Sequence, residues 1–399
     1  MKGSRELFAP DFAVSDGPQL SLTQRPALSS EGQNFGVVDL FCGCGGLTLG
    51  VEQACAQAGF GLDVLLAVDF ESHATNVYKA NFPEANVLTA GVETLFDGHV
   101  GDDITELEAE SLRLVGGKVV DILLAGPPCQ GHSNLNNHTR RNDPKNALYE
   151  RVVRSIEMLG PRLVIIENVP AILNDKSGVV IASERQLRAM NYSVASAVIS
   201  IQSLGVAQSR KRHVLIAVRG LDLDPQMLLA GLETLRSGMG TDLRDAIGDL
   251  VGMEGEGIFD TASSASEDNV ARMDWLFKND AYDLPNDRRP PCHQGTHSYK
   301  SMYGRLEWAK VAQTITSGFG SMGQGRYVHP ELRRTLTPHE AARIQGFPDY
   351  FSFSAVPTRG KLATMIGNAV PPAVSRTIVS FALQALMRAR AGNAERNVA

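Results

Sequence analysis

Cysteine, tryptophan and long apolar runs are scarce in this chain, and each scarcity excludes a class of protein. Its 399 residues include two tryptophans and only five cysteines, an odd number that is unevenly spread. This argues against a secreted domain held by disulfides and favours a reducing compartment. The sequence has no apolar run of the ~20 residues that a membrane-spanning helix requires. The N-terminus carries acids and lacks a continuous apolar core, so we do not expect a secretory signal.

An excess of basic residues is also missing. The chain has 38 Lys and Arg against 44 Asp and Glu, a formal net charge of −6. The whole-chain charge therefore gives no indication of nucleic-acid binding, which would have to depend on local clusters. Apolar residues make up 43% and charged residues 21% of the chain, ordinary values that exclude a largely disordered protein.

Short segments rich in Val, Ile and Leu alternate with segments of helical period between residues 36 and 218. Such strands, nearly continuous in apolar character, are typical of a parallel sheet that is covered on both faces. We therefore predict an α/β fold, a doubly wound Rossmann-like domain whose ligands bind beyond the carboxyl ends of its strands. The predicted strands are 37–41, 63–68, 119–125, 163–169, 192–200 and 213–218, and the helices between them include 47–58, 71–82 and 146–159.

The alternation stops after residue 218, and loop-rich sequence follows as far as residue 305. Helical texture resumes at 336–347 and again from residue 361. The simplest interpretation is a large domain whose chain leaves to build a second, smaller domain and then returns. The predicted division is a flexible tail (1–34), the first part of the large domain (35–250), the small domain (251–328), the return segment (329–390) and a C-terminal tail (391–399).

The stretch VVDLFCGCGGLTLG (37–50) combines a strand, a glycine-rich turn and a helix start. Its glycines let the backbone pass close to a ligand, and the helix N-terminus offers free N–H groups. The next strand ends in Asp69 and Phe70, an acid suited to ribose hydroxyls and a ring that can stack on a base. With a further acid at Asp103, these residues indicate a nucleoside-bearing cofactor, and S-adenosylmethionine fits. A tight turn that binds nothing is the alternative.

The cysteines of this turn, Cys42 and Cys44, raise the question of a metal. No second pair with ligand spacing follows them, so we interpret them as small turn or core residues and expect no metal.

Three predicted strands end or begin with side chains suited to chemistry. Cys129 follows two prolines at the end of one strand, where a thiolate could act as a nucleophile. Glu167 ends the next strand and could hydrogen-bond a ring nitrogen. Arg210 and Arg212 alternate at the start of a third, so they are expected to point to one side and bind phosphate or a base carbonyl. The alternatives are a buried cysteine, a salt-bridged glutamate and an exposed basic strand end.

Six sequence blocks occur in order: DLFCGCGG, GPPCQG, ENVP, QSRKR, LTPHEAARIQGFPD and GNAVPP. Together they resemble the DNA (cytosine-5) methyltransferase family of the prokaryotic type, from residue 37 to about 385. The resemblance implies a methyltransferase domain that depends on S-adenosylmethionine, and it makes the small domain a target recognition domain. The implied reaction transfers a methyl group to C5 of a cytosine flipped out of a specific duplex DNA sequence.

The resemblance also assigns roles by matching positions. Cys129 would add to C6 of the cytosine, Glu167 would bind its N3 edge and Arg212 its O2, with Arg210 in support. A covalent thiol suits this chemistry, because C5 is a poor nucleophile until C6 is saturated, and a base inside a duplex must leave the stack to be reached. The implied cofactor residues are Phe41, Gly43, Gly45, Asp69, Phe70, Asp103, Pro128 and Asn368, the last at the expected start of the final helix. The implied DNA-binding residues are Gln130, Ser133, Arg140, Arg141 and Lys145, and Arg288 and Arg289 are added as DNA-binding candidates because arginine can hydrogen-bond base edges.

Two features depart from the family pattern. Position 132 is His where the family more often has Phe, and the polar, basic loop that follows it (134–146) is expected to close over DNA with its cations on phosphates. A solvated loop is the alternative. The recognition region is also short. Further candidates for contacts with bases there are His293, Gln294, Tyr299, Lys300 and Arg305, and a zinc site formed by Cys292, His293 and His297 is a competing idea.

Three hypotheses follow. The first is an active DNA (cytosine-5) methyltransferase. The second is an enzyme with the same chemistry on tRNA, as in another branch of the superfamily. The third is a catalytically inactive DNA-binding relative. For the first we expect a monomer in the prokaryotic cytoplasm, associated with the nucleoid through DNA, with a restriction endonuclease as a functional rather than physical partner.

Overall fold

A computed structural model describes residues 20–29, 34–128, 147–234, 241–253, 255–294 and 301–396. In the first half of the chain the elements are β1 (Asn34–Leu40), α1 (Gly46–Ala58), β2 (Gly61–Asp69), α2 (Ser72–Asn81), β3 (Val87–Thr89), α3 (Glu106–Val115), β4 (Ile122–Ala125), α4 (Ala147–Leu159), β5 (Leu163–Asn168), α5 (Val179–Ala189) and β6 (Ser193–Ser200). They continue with β7 (Gln208–Ser209), β8 (Lys211–Val218), α6 (Pro225–Thr234), α7 (Leu243–Ile247), α8 (Gly257–Asp260), α9 (Glu267–Lys278), β9 (Ala312–Gln313), α10 (Pro338–Ile344), α11 (Arg359–Asn368) and α12 (Ala373–Arg396).

Seven strands form one sheet in the order β3-β2-β1-β4-β5-β8-β6. One hydrophobic cluster, to which α1, α6 and α12 contribute, covers one face, and another, to which α4 and α5 contribute, covers the other. The predicted doubly wound α/β fold is therefore confirmed. Its strands have the expected near-continuous apolar character because both faces are covered, as in β4 and β5, where every residue is buried.

The prediction of an entirely parallel sheet is wrong for one strand. β8 runs antiparallel to both of its neighbours, β5 and β6. The connection from β6 to β8 holds a 3-10 turn (Ile201–Leu204) and the short β7, but no helix. A parallel pairing needs a crossover of a dozen or more residues, usually through a helix, whereas this short connection can only return the chain in the opposite direction.

The last part of the chain closes the sheet domain. The region predicted to be helical from residue 361 is two helices, α11 and α12, separated at 369–372 by a segment with two prolines. α1 approaches this segment so closely that a Cβ on Gly46 would lie 2.2 Å from the carbonyl oxygen of Val370, and one on Gly50 2.1 Å from that of Pro372. The glycines of α1 thus allow backbone contact between the first helix and the returning chain.

Part of the predicted N-terminal tail lies against the sheet domain. The Arg25 guanidinium donates two hydrogen bonds to Glu52 of α1, at 2.7 and 2.8 Å, and one to Asn81 of α2, at 3.2 Å. It also lies over the rings of Phe82 and Tyr350, 5.1 and 5.4 Å from their centroids. Residues 20–29, which we call the strap, therefore join α1, α2 and the returning chain.

The region that follows β8 is built differently. Met273 and Leu276 of α9 pack with Leu284, Tyr303, Met322 and Val328 in a small hydrophobic cluster of their own. Few regular elements surround this cluster, and β9, of two residues, pairs only with β7. The division of the chain into domains stays a prediction. No helix among the described residues is both long and apolar enough to cross a membrane.

Candidate active site

The strand order changes direction between β1 and β4. From β1 the chain continues to β2 and β3 on one side of this point, and from β4 it continues to β5 on the other side. In open α/β sheets, ligands bind at this point, outside the carboxyl ends of the strands. The turn after β1, residues 69 and 70 after β2, and the segment 126–128 after β4 all lie at this edge. The structure thus brings together three of the segments that the sequence assigned to cofactor binding.

The turn after β1 has an unusual backbone. Phe41 adopts a φ of +56°, rare for a residue with a side chain, and Gly43 and Gly45 have φ values of +54° and +95°. A Cβ on Gly45 would lie 2.8 Å from the ring of Phe82, whereas one on Gly43 would meet no atom within 4 Å. The turn is therefore packed from below and leaves open space beside Gly43, as a cradle for a ligand requires.

Asp69 fixes this turn from the neighbouring strand. Its two carboxylate oxygens accept the backbone N–H groups of Gly43 and Glu71, each at 2.9 Å. Burial raises the pKa of Asp69 above its usual value. The adjacent Phe70 is 68% exposed, so its ring is free to stack on a planar ligand. These features fit S-adenosylmethionine, with an acid and an exposed aromatic ring at the end of the second strand.

A buried polar group beneath the turn was not identified from the sequence. Asp39, the residue before the last of β1, accepts a hydrogen bond at 2.7 Å from the hydroxyl of Thr48, which also lies 2.7 Å from the Tyr78 hydroxyl. Burial raises the pKa of Asp39 to about 7. The signal that could have found it is an acid inside an otherwise apolar strand, VVDLF.

The loop that carries Asp103 is held from below by a buried arginine, also missed in the sequence. Arg154 of α4 donates to the carbonyl oxygens of Asp102 and Asp103, at 3.0 and 3.1 Å, and pairs with Glu108 at 2.7 Å. Its hydrogen bonds lower the pKa of Glu108 to about 2. Because the backbone of Asp103 is fixed and its side chain is exposed, the carboxylate faces outward.

Glu167 and Arg212 meet at the end of β5. Arg212 Nε lies 2.5 Å from Glu167 Oε1, and both side chains are largely buried. β5 and β8 are in register with Glu167 opposite Val214, so Arg212, two residues away on the same face of β8, reaches the carboxylate diagonally. The predicted acid and arginine therefore lie side by side.

Arg210 has a different position from the one predicted. It lies in the break between β7 and β8, not in a strand, so the argument from alternation along one strand is wrong for it. Its buried guanidinium donates to the carbonyl oxygens of Ile315 and Gly367, each at 3.1 Å. Burial and then the charge of Arg212 lower its pKa to about 9. Through these contacts Arg210 joins the start of β8 both to Ile315, in region 251–328, and to Gly367 in the returning chain.

Asn168 ties the ends of β4 and β5 together. Its side-chain amide donates to the carbonyl oxygen of Pro127 at 3.1 Å. The next residue, Pro128, is the last one described before the gap. Cys129 lies outside the described residues, as do the predicted DNA contacts Gln130, Ser133, Arg140, Arg141 and Lys145.

Asn368 is the last residue of α11 and is exposed. The prediction that it begins the final helix is wrong, because the two prolines after it delay the start of α12 to Ala373. The preceding Gly367 is in close contact with the chain that leads back from the recognition region: a Cβ there would lie 2.3 Å from the backbone nitrogen of Ser317.

The candidates for contacts with bases differ in whether their side chains already contact other residues of the protein. Arg305 already has partners: its Nε donates to the carbonyl oxygen of Pro330 at 2.9 Å, and its guanidinium carbon lies 4.1 Å from the centroid of the Phe277 ring. His293 Nδ1 lies 2.6 Å from the Tyr303 hydroxyl. Arg288 is exposed above Trp275. Tyr299 and Lys300 lie outside the described residues.

The competing zinc site falls partly outside the described residues, which do not include His297. Within the described ranges, no group of three or more His, Cys, Asp or Glu side chains could hold a metal ion.

Comparison with known proteins shows which family the chain belongs to. The model of the family described as C-5 cytosine-specific DNA methylase matches residues 35–382. The Type II methyltransferase M1.BsuMI of Bacillus subtilis (strain 168) is 44% identical over 90% of this chain and 83% of its own length. The Type II methylase M.HgiDII of Herpetosiphon aurantiacus is 33% identical over 86% and 93%.

Solved structures agree on the fold. A putative DNA modification methyltransferase encoded within a prophage of E. coli superimposes with a TM-score of 0.62 at 24% identity, covering 89% of this chain and all of its own. The S. pombe Dnmt2 methyltransferase gives 0.60 at 16% identity, covering 89% and 99%. The family match spans both the cofactor edge and the Glu167–Arg212 pair. The chain belongs to the C-5 cytosine-specific DNA methylase family and is a DNA (cytosine-5) methyltransferase that uses S-adenosyl-L-methionine as its methyl donor.

Proposed function

We propose that the enzyme methylates C5 of a cytosine flipped out of a specific duplex sequence, through a covalent bond between Cys129 and C6. The observation that carries this proposal is the buried Glu167–Arg212 pair, 2.5 Å apart. A carboxyl group and a guanidinium side by side match the N3 and O2 positions of one edge of a cytosine ring. Asn168, next to Glu167, holds Pro127, two residues before Cys129.

The steps assign one task to each residue. The Cys129 thiolate adds to C6, and the electron pair of the C5–C6 double bond moves to C5. Glu167 binds the N3 edge and favours its protonation, and Arg212 donates to O2, so that both draw negative charge away from the ring. S-adenosyl-L-methionine, when bound, would supply an electrophilic methyl group to C5 and would leave as S-adenosylhomocysteine once its sulfur–methyl bond is broken. Loss of the C5 proton to a base then restores the double bond and expels Cys129 as a thiolate.

The cofactor would lie across the switch point. Phe41, Gly43 and Gly45 would cradle it with their backbone, and the exposed ring of Phe70 would stack on its adenine. Asp69 anchors the turn through Gly43 N–H and would also face the ribose. The remaining residues of the proposed pocket are Asp103, Pro128 and Asn368.

DNA contacts would come from two sides. The loop that holds Gln130, Ser133, Arg140, Arg141 and Lys145 would contact the phosphates and the extruded nucleotide. Region 251–328, which contains Arg288 and Arg289, would read the sequence. We propose a monomer that acts on chromosomal DNA in the prokaryotic cytoplasm, where it is associated with the nucleoid. Its Type II relatives make a cognate endonuclease a functional partner in this proposal.

The test compares Cys129→Ser with Cys292→Ser, a matched control at an exposed cysteine. Each protein is incubated with methyl-labelled cofactor and either duplex DNA or tRNA, and product cytosines are located in the DNA by bisulfite sequencing. We expect Cys129→Ser to lose methyl transfer and keep duplex binding, while the control keeps both. Methylation of DNA by Cys129→Ser at the wild-type rate would refute the nucleophile, and label in tRNA alone would refute the substrate.

A further inference from the structure

The arginines between residues 251 and 334 differ in whether their guanidinium groups are free. The sequence holds seven there, and six of them donate to carbonyl oxygens or face carboxylates. These six are Arg272, which faces Asp268, Arg289, which donates to Leu284, Arg305, which pairs with Asp280, Arg326, which pairs with Asp283, Arg333, which pairs with Asp274, and Arg334, which pairs with Glu340. The seventh, Arg288, has neither kind of partner among the residues that the structure describes.

Hydrogen bonds from side chains hold the backbone of the segment that carries Arg288. Residues 285–294, which we call the arginine turn, begin with Pro285 and contain two short 3-10 turns, Asn286–Arg288 and Pro291–His293. Arg272 of α9 donates to the carbonyl oxygen of Arg288 at 3.3 Å, and the Gln294 side chain donates to that of Arg289 at 2.7 Å. These bonds hold the backbone of the turn and leave the Arg288 side chain outside it.

Two adjacent arginines therefore have opposite placements. Arg289 is half-buried, and its Nε donates back to the carbonyl oxygen of Leu284 at 3.3 Å, which closes the turn. Arg288 is exposed, and its guanidinium lies over the half-buried ring of Trp275, 5.8 Å from the centroid. A cation held against an aromatic face keeps its N–H groups directed outward and loses less side-chain freedom when it binds.

We propose that Arg288 reads a guanine of the recognised duplex from the major groove, donating to its O6 and N7. This inference rests on the proposed function. A planar fork of donors matches the two acceptors of guanine, which makes arginine the usual reader of that base. A phosphate contact is less suited to this position, because Asp287 adjoins it and Asp268, also exposed, lies on the helix beside it. Arg289 would contribute by holding the turn.

The test begins with the recognised sequence, obtained by bisulfite sequencing of DNA from a host that expresses the enzyme. Duplexes are then made with 7-deazaguanine, which lacks the N7 acceptor, at one guanine position at a time. We expect the wild-type enzyme to lose about 10- to 100-fold in kcat/KM at one such position. Arg288→Ala should show a similar loss on unmodified DNA and no further loss on that modified duplex.

Two further variants separate charge from geometry. Arg288→Lys keeps the charge without the planar fork, so it should also lose discrimination at that position. Lys278→Ala removes an exposed cation from the end of α9, in the same region, and should keep the wild-type kcat/KM and the wild-type sensitivity to 7-deazaguanine.

Three results would decide against the inference. One is a wild-type enzyme whose kcat/KM is insensitive to 7-deazaguanine at every guanine. Another is an Arg288→Ala variant that keeps its rate and its dependence on the modified base. The third is a variant weakened equally on all DNA with a smaller salt dependence of binding, which would identify a phosphate contact. Failure of the proposed function itself differs from these, since the wild type would then methylate no duplex.

Discussion

The edge of the sheet and region 251–328 are each stabilised in a different way. At the sheet edge, strands and helices fix the functional side chains, and Glu167 and Arg212 need only the register of two strands to meet. In the recognition region, short turns are held by side chains that donate to backbone carbonyls, as Arg305 does to Pro330. In the proposed function, this difference would make the chemistry depend on a rigid scaffold and recognition depend on individual side chains.

The largest expected effect of a single change is at the sheet edge. Glu167→Gln keeps the shape of the side chain but removes the carboxyl group that, in the proposed function, favours protonation of the N3 edge of the base. We expect kcat to fall about 10²- to 10⁴-fold, with duplex binding retained. Single-turnover methylation assays and a gel-shift titration measure the two quantities. A variant that kept more than half of the wild-type kcat would show that the carboxyl group of Glu167 is not needed for methyl transfer.

Breaking the ion pair beneath the Asp103 loop should cost stability. Arg154→Met leaves Glu108 buried without its partner, so we expect a loss of about 3–5 kcal/mol in the free energy of unfolding. The pKa of Glu108 is lowered to about 2. Its contribution is therefore complete above its ordinary pKa and is lost as the pH falls toward 2.

Urea unfolding at pH 7 and pH 3 checks both statements. The difference between the wild type and Arg154→Met should be smaller at pH 3. An equal difference at both values would mean that Glu108 is not the partner that matters.

A titrating histidine lies next to the recognition region. His329 is fully buried, and its Nδ1 accepts the backbone N–H groups of Glu331 and Leu332 at 3.0 and 2.9 Å. Burial lowers its pKa to about 4, so the unfolded chain binds the proton more readily. Stability from neutral His329 is thus present above about pH 6.5 and is lost as the pH falls toward 4.

His329→Asn keeps an acceptor and removes the titration. Between pH 7 and pH 4 the unfolding free energy of the wild type should fall by about 2–3 kcal/mol more than that of the variant. Parallel pH profiles for the two proteins would exclude His329 as the source.

The smallest expected effects concern the strap and a surface pair. Arg25→Met leaves Glu52 largely buried without its cation, and we expect a loss of about 1–3 kcal/mol of stability. Arg333→Ala breaks an exposed pair with Asp274 and should change stability by less than about 0.5 kcal/mol. Chemical denaturation of both variants and of the wild type measures the two losses in the free energy of unfolding. Equal losses would mean that the strap is held no better than the surface.

The sequence predicted the sheet edge well because regular elements have periodic signals. Apolar runs indicated six of the seven strands of the sheet, and residues at strand ends could be assigned to one edge. The edge strand β3 has only three residues and was missed, because so short a segment shows no periodic signal. The direction of β8 could not be predicted from periodicity, since a buried strand has the same pattern in either direction. Arg210 was misplaced for a related reason: the break after Ser209 carries no glycine or proline to signal it.

Side chains that fasten loops were the hardest to predict. Arg154 and Arg25 reach acceptors that are 46 and 27 residues away along the chain, and no local pattern records such distances. The same limit applies to the recognition region, where Arg288 and Arg289 are identical and adjacent in sequence. Only their opposite placements in the folded turn separate them.

The reversed strand β8 has a consequence for the charges at the carboxyl end of β5. Because β8 travels against β5, its first residues stand beside the last residues of β5, which brings a guanidinium to the mouth of the crevice. Had β8 run the same way as its neighbour, that positive charge would sit at the opposite rim of the sheet, roughly 20 Å off along six residues. The single change of direction is therefore what places a carboxyl group and a guanidinium group side by side at the carboxyl end of β5.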